Sequence, residues 1–75
     1  MENATAIETE MGNVIRAMRI EKAWSQEALS FESGLHRTYI GAVERGEKNL
    51  TIKNLVRIAV ALGVTASTIL EKAGF

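Results

Sequence analysis

Apolar residues recur at helical spacing along most of this chain. Near the beginning they follow the i, i+3, i+4, i+7 pattern of one helix face; they are Met11, Val14, Ile15 and Met18. This pattern predicts a first helix that starts at about Ile7 or Met11 and ends at Lys22.

Two short helical runs follow, separated by a break. Ser25 is a good N-cap residue because its hydroxyl can accept a free backbone N–H of the first turn. Ser33-Gly34 interrupts the run, since glycine reaches positive φ without a Cβ clash. Ile40 and Val43 in the next run have i, i+3 spacing and should point inward. We therefore predict helices over 26–33 and 37–44.

The rest of the chain predicts two more helices. A fourth begins at Thr51, an N-cap candidate, and ends at Gly63; a fifth begins at Thr65. The predicted fold class is all-α. The positions expected to complete one core are Leu29, Leu35, Ile40, Val43, Ile52, Leu55, Ala59, Leu62 and Val64.

Composition limits the possible functions. Seventy-five residues suit a single domain, 1–75, with about residues 1–6 frayed. No cysteine and no aspartate are present and there is one histidine, so we expect no disulfide, no metal site, no cofactor and no catalytic set. An enzyme is not expected, and no small-molecule ligand is evident. The core of so small a domain supplies only about 3–5 kcal/mol, which favours stabilisation by a partner chain.

Neither a targeting segment nor a membrane span is expected. The first ten residues contain three glutamates and no lysine or arginine, and the longest apolar run, 58–64, has seven residues. A membrane-spanning helix needs about 20. We therefore expect a cytoplasmic protein without a membrane partner.

The charge of the chain is unevenly distributed although its net value is zero. Residues 36–57 contain two acidic residues and five basic ones; the basic residues are Arg37, Arg45, Lys48, Lys53 and Arg57. Glutamates are concentrated at the other end. A basic face of this kind can orient a selective DNA-binding protein on its phosphates.

Two short helices joined by a glycine-containing turn are typical of the helix-turn-helix motif. Around that turn, IRAMRIEKAWSQEAL, SGLHRTYIGAVERG and TIKNLVRIAVALGV occur in the order and spacing of the phage repressor and Cro family. The chain resembles this xenobiotic-response-element-like family from about Met11 to Leu70. The resemblance implies a compact five-helix bundle, the lambda repressor-like DNA-binding domain, that regulates transcription by binding a palindromic operator in double-stranded DNA as a homodimer.

The resemblance also implies which side chains meet DNA. Gln26 would bind a phosphate at the start of the second helix, and the third helix would enter the major groove. Arg37 and Thr38 would read bases, Tyr39 would reach a phosphate or sugar, and Ala42 would offer only a methyl group to a thymine. Arg45, Lys48 and Asn49 form a loop whose donors suit phosphate oxygens. Solvent-exposed polar residues without a ligand are the alternative.

Two positions depart from the family pattern, and one pair of residues follows it. His36 stands at the usual N-cap of the third helix, where it could instead donate to a phosphate, more strongly when protonated. Ala23 replaces a glycine common at the end of the first helix, which predicts a differently built turn. Arg19 and Glu44 occupy positions where family members place an ion pair between the first and third helices.

The fourth helix predicts the dimer. Its apolar residues cover an arc of about 200° at 100° per residue, whereas one core needs a stripe of somewhat more than 100°. We expect a second chain to cover the excess, with Val56, Val60 and Ile69 in the interface. Coverage by the short fifth helix is the alternative.

Within the family, the short length and the R-T-Y, E-R-G and N-L-T runs resemble the controller proteins of restriction–modification systems. Such a role combines activation with repression, which makes RNA polymerase a further partner. A phage or plasmid repressor and an antitoxin have nearly the same sequence pattern. A protein-interaction module that uses the motif only for packing is the alternative of another class.

Overall fold

The computed structural model describes residues 3–75, with side chains from Ile7 onward. In this part of the chain there are five helices and no strand. The helices are α1 (Asn3–Glu21), α2 (Gln26–Ser33), α3 (Arg37–Glu44), α4 (Ile52–Leu62) and α5 (Ala66–Lys72). The all-α prediction is confirmed, and the bounds of α2 and α3 are those expected from the sequence.

Three of these helices have an N-cap residue with a side-chain hydroxyl group. Ser25 Oγ accepts the N–H of Ala28 at 3.0 Å at the start of α2. Thr51 and Thr65 accept the equivalent N–H groups of α4 and α5, each at 3.1 Å. Each cap satisfies one of the four N–H groups that a helix start leaves unpaired. The predicted starts of α4 and α5 are therefore confirmed.

The two ends of α1 differ from the prediction. The helix begins at Asn3, before either predicted start. Residues 3–6, which were expected to be frayed, are therefore helical. The rest of that prediction concerns residues 1 and 2, which lie outside the described residues. At the other end Ala23 has φ +60°. That is the left-handed conformation that a glycine would adopt, so the expectation of a differently built turn was wrong. Alanine adopts this conformation at a cost of roughly 1–2 kcal/mol.

The core lies where α1, α3, α4 and α5 meet around Leu29 of α2. Its fully buried large side chains are Ile15, Leu29, Ile40, Ile58 and Ile69. Most of the expected core residues are buried or packed against this cluster. Ile52 is the exception, with 81% of its surface exposed. As the first residue of α4 it lies beside the buried arc, on an outward face that the sequence pattern did not separate from the core face.

A glycine allows α1 to approach α3 closely. A Cβ atom on Gly12 would lie 2.4 Å from the carbonyl oxygen of Val43 and 2.8 Å from that of Glu44. Any side chain at this position would therefore overlap the backbone at the end of α3. The absence of a side chain at Gly12 therefore allows the close approach of α1 to the end of α3.

Among the described residues, no single helix is long and apolar enough to cross a membrane. Helices α4 and α5 meet the criteria of length and composition only when taken together, as a pair bent by 94°. The inner face of α4 is buried in the core described above.

Candidate nucleic-acid interface

The turn between α2 and α3 is held by hydrogen bonds from two serines. Ser30 Oγ donates to the carbonyl oxygen of Leu35 at 2.5 Å, and Ser33 Oγ accepts the N–H of Leu35 at 3.3 Å. Gly34 has φ +76°, and its N–H donates to the carbonyl oxygen of Ser30 at 2.9 Å. These bonds fix the direction in which the chain enters α3.

His36 caps α3 with its side chain. Its Nδ1 atom accepts the N–H of Thr38 at 3.0 Å. An imidazole that accepts at Nδ1 carries its hydrogen on Nε2, so Nε2 remains the donor that could meet a phosphate. Phosphate binding was expected in place of a cap; in the structure the cap uses Nδ1 and leaves Nε2 free, so the phosphate contact of His36 stays a prediction.

The first turn of α3 presents two polar side chains to solvent. Arg37 and Thr38 are both exposed. Among the side chains that the structure describes, neither forms a hydrogen bond or ion pair with the protein, which leaves their donors available. A guanidinium group in this position can bind guanine O6 and N7 with two hydrogen bonds.

Tyr39 is oriented by a residue of α4. Asn54 Nδ2 donates to the Tyr39 hydroxyl oxygen at 3.1 Å, while the ring is half-buried against the core. The hydroxyl hydrogen of Tyr39 is not used in this bond and can be donated to a phosphate. This contact was not expected from the sequence, since no local pattern links residues 15 positions apart.

The middle of α3 is less accessible than expected. Ala42 is only 6% exposed and lies in the protein interior, so the predicted contact of its methyl group with DNA was wrong. Gly41 is also buried; a Cβ there would lie 3.2 Å from Arg45 Nη1 and 3.4 Å from Gln26 Oε1. The side chains of Arg45 and Gln26 thus cover the helix at the glycine.

A buried ion pair connects α1 with α3. Arg19 Nε donates to Glu44 Oε2 at 2.7 Å and Nη2 donates to Oε1 at 3.0 Å. Arg19 Nη1 also donates to the Trp24 carbonyl oxygen at 2.7 Å. The hydrogen bonds to Glu44 raise the pKa of Arg19 above its ordinary value, against the opposite effect of burial. The structure thus brings together the two residues that the resemblance paired.

Gln26 is the third member of this network. Its Nε2 donates to Glu44 Oε1 at 3.0 Å. One amide hydrogen is therefore already used, and one remains for the predicted phosphate contact. The backbone N–H groups of Gln26 and Glu27, in the first turn of α2, have no acceptor within the helix. This helix start can therefore bind an anion through its backbone as well as through the Gln26 side chain.

The loop after α3 contains the second ion pair among the described side chains. Arg45 and Glu47 form two hydrogen bonds, Nε to Oε2 at 2.9 Å and Nη2 to Oε1 at 3.2 Å. Lys48 and Asn49 are exposed in the same loop. The basic residues of the loop were expected from the sequence, whereas Glu47 had no predicted role, because no sequence pattern indicated pairing between residues two positions apart.

An exposed apolar stripe runs along α4. Its members are spaced four residues apart on one face, and they are Ile52, Val56 and Val60, exposed by 81%, 44% and 70% respectively. Ile69 is fully buried in the core, so its assignment to a dimer interface was wrong. Helix α5 thus leaves the stripe uncovered, although it packs against α1 and the inner face of α4.

Comparison with known proteins identifies relatives of this chain. A family model described as helix-turn-helix matches residues 15–69. Control protein C.BamHI of Bacillus amyloliquefaciens is 44% identical over 61 residues, which are 80% of this chain and 75% of that protein. A hypothetical transcription factor of Neisseria meningitidis is 46% identical over 56 residues, or 75% of this chain; the match spans 53% of that protein's length.

The solved structures include close matches to the fold. The restriction-modification controller protein C.AhdI from Aeromonas hydrophila aligns with a TM-score of 0.79 at 39% sequence identity. The alignment covers 81% of this chain and 92% of that one. The agreement therefore extends over nearly the whole of the controller structure.

Proposed function

This chain belongs to the helix-turn-helix family and is a DNA-binding transcription regulator, and on that premise we propose that it binds a palindromic operator as a homodimer and controls a restriction–modification operon. The exposed first turn of α3 is the observation that carries the proposal. There Arg37 and Thr38 face solvent beside the capped helix start. The elements behind them are joined by the buried Arg19–Glu44 pair.

We assign base reading to Arg37 and Thr38 and phosphate binding to the residues around them. Bases are read by donors that reach their edges in the major groove, whereas phosphate contacts fix the position of the protein on the duplex. The residues proposed to bind phosphate or sugar are Gln26, His36, Tyr39, Arg45, Lys48 and Asn49. Gln26 begins α2, His36 and Tyr39 belong to the first turn of α3, and the other three residues follow the end of α3.

The homodimer rests on the exposed stripe of α4. Three aliphatic side chains in a row on one helix face are an unfavourable surface for a monomer in water. A twofold axis beside the stripe would bury Val56 and Val60 of both chains. Ile52, which is exposed, replaces the buried Ile69 as the third proposed interface residue. The same axis relates two copies of α3, so the preferred site is a palindrome with half-sites about 34 Å apart.

The restriction–modification role is supported by the control proteins among the relatives. We propose that RNA polymerase is a partner where the protein activates transcription, that the protein acts in the cytoplasm, and that it has no catalytic role. A phage repressor is the second candidate, since the immunity repressor protein of Bacillus phage phi105 is 34% identical over 59 residues. A module that only binds protein is disfavoured, because the exposed first turn of α3 carries Arg37 and Thr38 rather than apolar groups.

Selection of bound fragments from random double-stranded DNA tests the proposed function. We expect a symmetric motif to be enriched at about 50–100 mM salt, where phosphate contacts still contribute strongly. Half-sites about one helical turn apart are the expected result. Recovery of no motif under these conditions would contradict sequence-specific binding, and a single unpaired half-site would contradict the dimer.

Replacing Val60 by glutamate is expected to weaken the dimer at least about tenfold, which corresponds to ~1.4 kcal/mol. The carboxylate would lose water in the interface without gaining a partner. Sedimentation equilibrium at micromolar concentration measures the change directly. For the wild type, the thermal midpoint should also rise with protein concentration, since association stabilises the folded chain.

Ile20→Glu is the matched control for this experiment. Ile20 is an exposed aliphatic residue of α1, with 51% of its surface accessible, and it lies outside the stripe. The control should leave the association constant unchanged. A wild-type protein that is monomeric at micromolar concentration, with a midpoint independent of concentration, would show that the stripe does not pair two chains.

A further inference from the structure

The exposed ion pair of Arg45 and Glu47 lies directly beside the proposed reading helix. Both side chains are 58% exposed, and two hydrogen bonds join them. These bonds raise the pKa of Arg45 and lower the pKa of Glu47 relative to their ordinary values. Both groups are therefore charged at neutral pH, and the positive charge of Arg45 is matched at short range by a carboxylate.

The backbone fixes Glu47 in this position. The N–H of Gly46 donates to the carbonyl oxygen of Val43 at 3.0 Å, and the N–H of Glu47 donates to that of Ala42 at 2.9 Å. Together with φ +75° at Gly46, these two bonds form a Schellman motif that ends α3. The loop therefore holds Glu47 next to Arg45 rather than leaving the two side chains to meet by chance.

Arg45 is also directed toward the proposed DNA-reading face. Its Nη1 atom lies 3.2 Å from the position that a Cβ of Gly41 would occupy. Gly41 follows Arg37 by four residues, so both lie on the same side of α3. The guanidinium group thus extends back along the face that carries Arg37, with Nε and Nη2 bound to Glu47 and the hydrogens of Nη1 unused by that pair.

The charge of the surrounding segment makes Glu47 unusual. Residues 36–57 contain two acidic residues, and Glu44 is buried and paired with Arg19 of another helix. Glu47 is therefore the one exposed carboxylate in this basic segment. A surface ion pair contributes little to folding stability because water screens it. Its position beside the phosphate-binding loop suggests an effect on binding instead.

We propose that Glu47 weakens DNA binding by accepting hydrogen bonds from Arg45. The Arg45–Glu47 pair must open before Nε and Nη2 of the guanidinium group can donate to a phosphate. This inference rests on the proposed function, since it concerns the phosphate contacts of the same interface. The carboxylate reduces the sequence-independent part of the affinity, which depends on the number of phosphates that cations neutralise. Base reading by Arg37 does not involve it.

Glu47→Gln tests the proposal because it keeps the shape of the side chain and removes its charge. The probe is a mixed-sequence duplex of about 30 base pairs, long enough for two half-sites. Fluorescence anisotropy across about 50–200 mM salt should show tighter binding of the variant at the low end. The slope of log affinity against log salt should become steeper by about 0.9, as expected for one additional phosphate contact. Over this salt range the variant should therefore lose roughly 3.5-fold more affinity than the wild type loses.

A double-mutant cycle with Arg45→Gln separates pairing from general repulsion of DNA by a carboxylate. If Glu47 acts through Arg45, Glu47→Gln should have little effect in the Arg45→Gln background. Glu71→Gln, which removes an exposed charge on α5, is the control for net charge. Both Glu47 and Arg45 are exposed, so unchanged circular-dichroism melting would show that the variants are folded.

Two results would overturn the inference. One is an increase in DNA affinity from Glu47→Gln that is no larger than the increase from Glu71→Gln. The other is an equal increase in affinity from Glu47→Gln in the wild-type and Arg45→Gln backgrounds. Either result, with a wild type that still enriches a palindrome, would leave the proposed function intact. A wild type that binds no duplex even at low salt would instead overturn the proposed function, and this inference with it.

Discussion

Glu44→Ala is expected to destabilise the folded protein by about 3–5 kcal/mol, because it leaves the guanidinium group of Arg19 buried without its counter-ion. In the wild type, Glu44 accepts two hydrogen bonds from Arg19 and one from Gln26. The Glu44 side chain is only 2% exposed and that of Arg19 10%, so water cannot readily replace the lost partner. A domain of this size has a total stability of about 4–11 kcal/mol, so the loss is a large part of it.

Urea denaturation of the wild type and the variant at the same protein concentration measures this effect, because the concentration dependence from association is then matched. Glu47→Ala is the matched control, since it removes the same kind of side chain from an exposed Arg–Glu pair and should change the stability much less. Replacing both buried partners, as Arg19→Met with Glu44→Leu, should recover much of the loss. Equal costs for Glu44→Ala and Glu47→Ala would show that burial does not make the first pair important.

Arg37→Ala is expected to weaken binding to the selected operator by about 1–3 kcal/mol, or roughly 5- to 160-fold. The truncated side chain can no longer donate to the two acceptors on a guanine edge. The effect should be largest for the preferred base at one position of each half-site and small at all others. Binding measured against a set of operators that differ at single base pairs would identify that position.

Lys48→Ala is the control for a phosphate contact in the same interface. It should weaken binding to all sequences about equally and reduce the salt slope by about 0.9 per lost contact. Circular-dichroism spectra should be unchanged for both variants, because Arg37 and Lys48 are exposed. If Arg37→Ala changed neither affinity nor base preference, α3 would not be the element that reads the operator.

Local sequence signals determined the helices of this protein. Ser25, Thr51 and Thr65 each accept an N–H three residues ahead, and Gly34 and Gly63 end α2 and α4 with positive φ. All of these contacts lie within five residues along the chain, where residue type and spacing are sufficient. For this reason the bounds of the motif, and the resemblance that depends on them, could be obtained from the sequence.

Side-chain orientation could not be obtained in the same way. The periodicity of α4 gave an apolar arc but did not divide it, so Ile52 was assigned to the core although it is exposed. Ala42 and Ile69 were assigned to interfaces although both are buried. In each case the outcome depends on which neighbouring helix covers the position, and that is set by how α1, α3, α4 and α5 pack together.

The sequence by itself determined the five helices, the position of the turn and the chemical nature of the residues at the start of α3. Only the tertiary structure decided how those residues are used. His36 became a cap, Asn54 was brought to Tyr39, and Arg45 was paired with Glu47. Helix formation depends on neighbours a few residues apart, whereas the partner of a side chain depends on the directions of groups that folding brings together, as when Gly12 lets α1 approach α3.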